Sequence, residues 1–160
     1  MQGKLFQVEY FNKKEIHDVV LVLRTKTNNR ILTVTETNGK VGFPGGKVKN
    51  TDDTIFDAMK REFNEETGNE LPKLYNINRF VYKGKHSFTA IYVANTVKTI
   101  STTLGSNADG EIVSMHLSTV NDIRSSLNGE PLSSGKPSFT FRDCAKKSTK
   151  LLLPYLLSVK

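Results

Sequence analysis

Cysteine occurs once in the 160 residues, at Cys144, so no disulfide can close within the chain and a reducing compartment is the expectation. Its neighbours Lys146 and Lys147 read as helix surface rather than as activators of a thiolate. No apolar run approaches the roughly 20 residues that a membrane helix needs. The longest, residues 151–159, is broken by Pro154, Tyr155 and Ser158. The opening MQGKLFQVEYF holds no apolar segment of signal-peptide length. Together these absences predict an intracellular, cytoplasmic protein with no membrane partner. Repeats and low-complexity tracts are also missing, and no basic run is longer than two residues, as at Lys146-Lys147.

A hydrophobic content of 37% over this length fits one domain, residues 1–160, with a substantial core. The formal charge of +7 favours polyanionic partners such as nucleotides, RNA or inositol phosphates, although lysines spread for solubility give the same total. Alternation and β-branching predict strands at 6–10 (FQVEY), 18–24 (DVVLVLR) and 31–36 (ILTVTE), the last two as a hairpin, with a short extended approach at 41–43. Two further runs, 77–83 and 86–95, flank a Lys-Gly-Lys turn and predict a second hairpin. Its tip carries Lys83, Lys85 and His86, a cationic turn that is either solvated or a phosphate contact. A polar stretch at 96–109 reads as a loop, 111–117 as a strand, and 120–127 as a short helix capped by Ser118 or Thr119. Turn formers fill 128–138, and a last helix spans 143–157, where Pro154 forces a kink or marks the final turn. Leu152, Tyr155 and Leu156 are expected to pack on the sheet. Phe139 and Phe141 either fill a core or stack a base.

The stretch that carries chemistry is GFPGGKVKNTDDTIFDAMKREFNEETGN, residues 42–69. A helix from about 54 to 67 is expected, with Thr51 or Asp52 as N-cap and Gly68 as C-cap. At about 100° per residue, Ile55, Phe56, Ala58, Met59 and Phe63 share one arc of about 160°, and Glu62 and Glu66 lie inside that same arc. Two carboxylates four residues apart on an apolar face, with Glu65 at its edge, repel one another and sit at the negative end of the helix dipole. A solvated face of ion pairs is one explanation, since Lys60 and Arg61 are close by and Arg61 adjoins an acid. The loop in front favours another: Phe43-Pro44-Gly45-Gly46-Lys47 combines a stiffened entry, two residues that let a ligand approach the backbone, and a cation. A divalent ion held between backbone and carboxylate oxygens would offset the acids.

These residues resemble the Nudix hydrolases, whose box reads Gly, five residues, Glu, seven residues, Arg-Glu, an apolar residue, one residue, Glu-Glu, one residue and Gly. Arg61-Glu62-Phe63-Asn64-Glu65-Glu66-Thr67-Gly68 matches its second half position by position. The departures are Asp53 in place of the first Glu, a loop one residue longer after Gly46, and Asn69 at the closing apolar position. Asp52 and Asp53 compete for the acidic role near the helix start, which in the family is mainly structural. The resemblance implies an α/β/α sandwich, with a mixed sheet between the box helix and a C-terminal helix.

It also implies a hydrolase of nucleoside diphosphate derivatives that uses Mg²⁺ or Mn²⁺. On that basis Gly45, Glu62, Glu65 and Glu66 are the expected metal ligands, and Glu62 or Glu111 the base. Arg61 would orient a glutamate, and Lys47, Lys85, His86 and Phe141 would contact substrate. FPGGK is similar to the MutT-like branch, which acts on nucleoside triphosphates and oxidised nucleotides. Capped RNA, diphosphoinositol phosphates and dinucleoside polyphosphates are the alternative substrates, and a nucleotide- or RNA-binding module without catalysis is the alternative of another class. Nudix proteins occur as monomers and as dimers.

Overall fold

The computed structural model describes residues 3–25, 29–106 and 108–158. In chain order the strands are β1 (Lys4–Val8), β2 (Asp18–Thr25), β3 (Arg30–Glu36), β4 (Val41–Gly42), β5 (Gly45–Lys47), β6 (Tyr75–Lys83), β7 (Phe88–Thr96) and β8 (Ile112–Thr119). The helices are α1 (Ile55–Thr67), α2 (Val120–Leu127) and α3 (Asp143–Ser158), and a 3₁₀ turn occupies Lys13–Glu15. The strands make one mixed sheet in the order β1-β6-β7-β2-β3-β4, with β5 added to β2 and β8 to β3. β2 runs parallel to β7, and the other pairings are antiparallel.

The centre of the sheet follows from β2, whose residues 21–25 are all buried, as expected for a strand covered on both faces. Its side chains alternate. Val19, Leu21 and Leu23 pack with Ile55, Ala58, Met59 and Phe63 of α1, whereas Val22 packs with Ile123 of α2 and Leu152 and Leu156 of α3. The sandwich of helix, mixed sheet and helix that the sequence implied is therefore the architecture found. Among the described residues no helix is long and apolar enough to cross a membrane.

The site is prepared by a divergence in the sheet. Among the described residues of β2 and β3 only Arg24 and Ile31 are in register, so the two strands splay apart toward the start of β2. β5 fills the space, pairing Val20 with Gly45, Val19 with Gly46 and Asp18 with Lys47. Leu21 N–H donates to the Pro44 carbonyl (2.9 Å) and fixes the entry of this short strand. The glycine stretch is thus a strand and not the turn its composition suggested. Gly45 has to be glycine here, because a Cβ would collide with the Val19 carbonyl.

Other expectations shift by a few residues. β1 begins and ends two residues early, since Lys4–Val8 are the ones that pair with β6, leaving Tyr10 78% exposed in the following bend. Thr54, not Thr51 or Asp52, caps α1: its hydroxyl accepts from Asp57 N–H (3.1 Å), while Asp52 is held elsewhere. Gly68 closes α1 in the left-handed region (φ 72°), as expected, and Thr119 caps α2. Pro154 lies inside α3 with a further turn beyond it. The turn between β2 and β3 falls partly outside the described residues.

Phe141 requires a correction. Its side chain is 1% exposed and packs between Phe43 and Phe139, with centroids 6.2 and 5.2 Å away. It belongs to the core beneath α3 and offers no face to a ligand.

Gly68 also touches the chain that follows β7. A Cβ there would lie 2.6–2.7 Å from the backbone of Gly105, whose N–H donates to the Thr67 carbonyl (2.7 Å). Gly68→Ala therefore meets both a left-handed backbone and a backbone collision, and is expected to lower unfolding free energy by about 1–2 kcal/mol or more. Urea denaturation checks this; an unchanged midpoint would show that the cap and the glycine contact contribute no stability.

Candidate active site

The acids of α1 meet β5 edge-on. Glu62 and Glu66 share the helix face turned to the sheet, and the Glu62 carboxylate occupies the space where a Gly46 Cβ would stand. Glu66 is 4% exposed, and its Oε1 accepts from Gly45 N–H (2.8 Å). The two glycines let a strand backbone lie against two carboxylates with no side chain between them. Within a strand, a residue's N–H and C=O point to the same edge, so the Gly45 carbonyl lies on the side of these acids.

Arg61 collects the carboxylates on the outer side. Its Nε and one terminal nitrogen bind the two oxygens of Asp52 (both 2.9 Å), and the second nitrogen also reaches the Lys47 carbonyl (3.0 Å). The other terminal nitrogen binds Glu62 (2.8 Å) and Glu65 (3.2 Å). Such a planar fork suits bidentate carboxylate binding, and a lysine could not replace it. Asp52 also accepts from Lys49 N–H (2.8 Å), so the longer loop after Gly46 is pinned to α1. Asp52, not the exposed Asp53, takes the structural role near the helix start. The Arg61 hydrogen bonds hold the Asp52 carboxyl down to about 2 from its ordinary 3.8, and Asp52 in turn raises the proton affinity of Arg61.

Inside the cluster the balance reverses. Burial pushes Glu66 up to about 7, opposed by the Gly45 N–H and by Arg142, with Glu62 and Asp109 raising it further. Glu62 is raised too, by burial first and with Arg61 opposing. Proton affinities lifted in this way mark carboxylates whose negative charge is incompletely offset.

Three groups here were not singled out from the sequence. Arg142, at the start of α3, places Nε 2.6 Å from Glu36 and a terminal nitrogen 3.5 Å from Glu66. Asp109 is drawn to α1 by its N–H, which donates to the Glu65 carbonyl (2.9 Å). Glu36 lies at the end of β3. No local pattern announces Arg142 or Glu36; Asp109 had a signal, the Asp-Gly pair that opens the turn into β8.

The residues named from the sequence separate into groups. Glu62, Glu66, Gly45 and Arg61 come together, and Glu65 joins them through Arg61 with its side chain 41% exposed. Lys47 is exposed beside them. Glu111 is exposed, as is Asp109, whose Oδ1 accepts from Glu111 N–H (3.0 Å). Lys85 and His86 are exposed at the β6–β7 tip.

The donor set suits a hard cation in one respect and limits it in another. Among the described residues no group of three or more acids, histidines or cysteines converges as a ready-made metal cage. Mg²⁺ does not need one, since it is usually held by one or two carboxylates with water and substrate phosphate completing the shell. Glu62 and Glu66, packed against a strand backbone, fit that requirement. Part of the repulsion that the sequence alone assigned to a metal is offset instead by Arg61 and Arg142.

On either side of the glycines lie two hollows. One, of about 140 Å³, runs between β2, β7 and α3 and is lined by Val22, Phe43, Ile91 and Leu152 with Ser148 and Thr149. The other, of about 830 Å³, opens over Lys47.

Residues 15–139 match the NUDIX domain. No curated protein matches the chain. Among solved structures, the pyrophosphohydrolase BsRppH of Bacillus subtilis shares 20% identity over 97% of this chain and 89% of its own, with a TM-score of 0.58. The MutT protein of Methanosarcina mazei Go1 shares 17% over 90% and 96%, with a TM-score of 0.54. The NUDIX domain of Shewanella oneidensis NrtR, complexed with ADP ribose, shares 15% over 90% and 94%, with a TM-score of 0.50. At these identities the likeness is one of fold.

The Asp52–Arg61 pair gives a pH-dependent prediction. Because the folded pKa lies below the ordinary value, the stabilisation is present above about pH 4 and is lost as pH falls toward 2. Asp52→Asn should cost about 2 kcal/mol at pH 7, and its difference from wild type should shrink to near zero at pH 2. Urea titrations of both proteins across that range check it; a difference constant with pH would assign the loss to packing.

Proposed function

The chain belongs to the Nudix family and is a pyrophosphohydrolase, and on that footing we propose that it cleaves a nucleoside triphosphate or modified nucleotide at a pyrophosphate linkage set beside Gly45 and Gly46. The observation that carries this reading is Glu66, a buried carboxylate bound to the Gly45 N–H and lifted to about 7 among other acids. Glu62, Glu65, Glu66 and the Gly45 carbonyl are the groups that would hold Mg²⁺ or Mn²⁺. When bound, such an ion supplies neutralisation of phosphate oxygens and a more acidic water.

This chain's own residues then have separate tasks. Arg61 fixes the carboxylates of Glu62 and Glu65 without reaching substrate, because its donors are already taken. Lys47, exposed next to Gly46, meets a phosphate oxygen. The base that accepts a proton from the attacking water is Glu62 or, in place of Glu111, Asp109. Asp109 acts on the charge state of Glu66 and accepts from Glu111 N–H. The hollow under α3 is smaller than the roughly 300–1,000 Å³ of a whole-ligand pocket, so it suits one ring of a base rather than a nucleotide.

Glu66→Gln should lower turnover by about 10³-fold with the fold intact, and Glu65→Gln by less, since its side chain is the more exposed. The assay is phosphate or pyrophosphate release from nucleoside triphosphates, ADP-ribose, dinucleoside polyphosphates, diphosphoinositol phosphates and capped RNA, with Mg²⁺, with Mn²⁺ and with chelator. Activity that survives chelator, or that is full in both variants, would refute the assignment. Asp109→Asn and Glu111→Gln separate the two candidate bases. Loss of about 10²-fold or more in kcat is expected for Asp109→Asn alone, and the reverse result would return the role to Glu111.

A further inference from the structure

The hollow over Lys47 holds four lysines, Lys13, Lys14, Lys47 and Lys49, together with His17, and Asp18 is its one acid among the described residues. Its walls come from three separate parts of the chain that are tied to each other. Asn12 caps the 3₁₀ turn by accepting from Lys14 N–H (3.2 Å), and Lys13 Nζ donates to the Asn50 carbonyl (3.4 Å). Val48 N–H donates to the His17 carbonyl (2.9 Å), and His17 N–H to the Phe88 carbonyl (3.0 Å). Phe88 N–H in turn donates to His17 Nδ1 (3.2 Å), so the neutral ring carries its proton on Nε2, which remains a donor. The cations therefore line one cleft whose walls are hydrogen-bonded to each other, unlike lysines scattered for solubility.

From this arrangement we propose that Lys13, Lys14, His17 and Lys49 extend the Lys47 position into a second anion site, one that takes closely spaced phosphates lying beyond the linkage to be cut. The proposal rests on the pyrophosphohydrolase reading and narrows it to substrates with three or more phosphates in succession or on one small scaffold. Contiguity supports it: Lys47 opens the cleft and directly follows Gly46, and Asp18, paired with Lys47 across β2 and β5, lines both the cleft and the hollow under α3. The lining also tells phosphate from base. Its described lining holds no Phe, Tyr or Trp, and its one aromatic ring, His17, is held through Nδ1 by Phe88 N–H, so an RNA base has no large ring face to stack on. Ammonium groups on flexible stems bind phosphates as point charges and tolerate varied spacing, which suits a phosphate chain.

The test is calorimetric binding of inorganic tripolyphosphate and of inorganic pyrophosphate to the full chain, with chelator present so that no divalent ion or turnover contributes. Lys13→Ala, Lys14→Ala and Lys49→Ala are combined, and Lys146→Ala, Lys147→Ala and Lys150→Ala on α3 remove the same charge elsewhere. The first triple variant should weaken tripolyphosphate by about tenfold or more and pyrophosphate by less than about threefold, and the control triple should change neither. Equal weakening of both ligands, an equal effect in the control, or no effect at all would overturn the proposal. Inositol hexakisphosphate and a 5′-monophosphorylated RNA decamer complete the panel. A site selective for the decamer would overturn it, and tighter inositol hexakisphosphate than tripolyphosphate would identify the scaffold-borne form. Failure of the hydrolysis panel with tripolyphosphate binding intact would sink the substrate assignment while leaving the anion site.

Discussion

Three carboxylates, those of Glu62, Glu65 and Glu66, are gathered toward the end of a helix that also presents its negative dipole there, a fourth, Asp52, stands before its start, and Arg61 is what allows the helix to fold with them in place. One guanidinium joins three of the acids and the Lys47 carbonyl, so it ties the helix to the loop that enters it and, through that loop, to the glycine strand. The geometry of β5 against α1 depends on this joint as much as on the glycines. Arg142 does the corresponding work from the other side, joining Glu66 to Glu36 and so α3 to the acid face.

Arg61 binds Glu62 and Glu65 but has no bond to Glu66, and Arg142 reaches Glu66 only at 3.5 Å. The outer oxygens are paired, whereas Glu66 toward the strand has only a backbone N–H and a guanidinium at 3.5 Å, and its proton affinity rises accordingly. A pair of acids neutralised on both sides would need nothing more. A pair neutralised on one side favours a proton or a cation on the other, and a hard divalent ion that retains open positions for phosphate satisfies the same charge deficit without a full protein cage.

Most of the fold was legible because its signals are local. The α1 stripe, the alternation in β2 and β7, and the caps at Gly68 and Thr119 all follow from periodicity or from one residue's conformational preference. What escaped the sequence was set by distant contacts. Asp52 is an adequate helix cap in isolation, but Arg61, nine positions on, captures its side chain and leaves Thr54 to cap. Gly45-Gly46 has the composition of a turn and becomes a strand only because β2 and β3 splay and leave an edge to be paired. Phe141, an aromatic beside a polar loop, reads as core or as a stacking platform, and its burial depends on Phe43, distant in sequence. Of the site itself, the box residues were legible and the residues that bound it were not. Arg142 and Glu36 gain meaning only when α3 is folded over β3.

That division has a physical consequence for specificity. The acid face and the glycine strand are made by contiguous sequence and obey one geometric requirement, close approach of a backbone to carboxylates, which leaves little room for change. The hollow under α3 and the cleft over Lys47 share residues of the glycine strand, but the rest of their lining comes largely from α3, the 3₁₀ turn and the start of β7, elements under no such requirement. A fold shared at 15–20% identity by a pyrophosphohydrolase, a MutT protein and a domain holding ADP ribose fits this arrangement, since those flanking elements can be rewritten without moving the carboxylates. In this chain the two flanks have opposite character, small and largely apolar on the α3 side and wide and cationic on the other. A substrate lying across Gly45 and Gly46 would then have one favourable orientation, its ring toward α3 and its phosphates toward the lysines. The reverse orientation would leave an anion facing Val22 and Leu152, where the one cation among the described lining residues, Arg142, is already shared between Glu36 and Glu66.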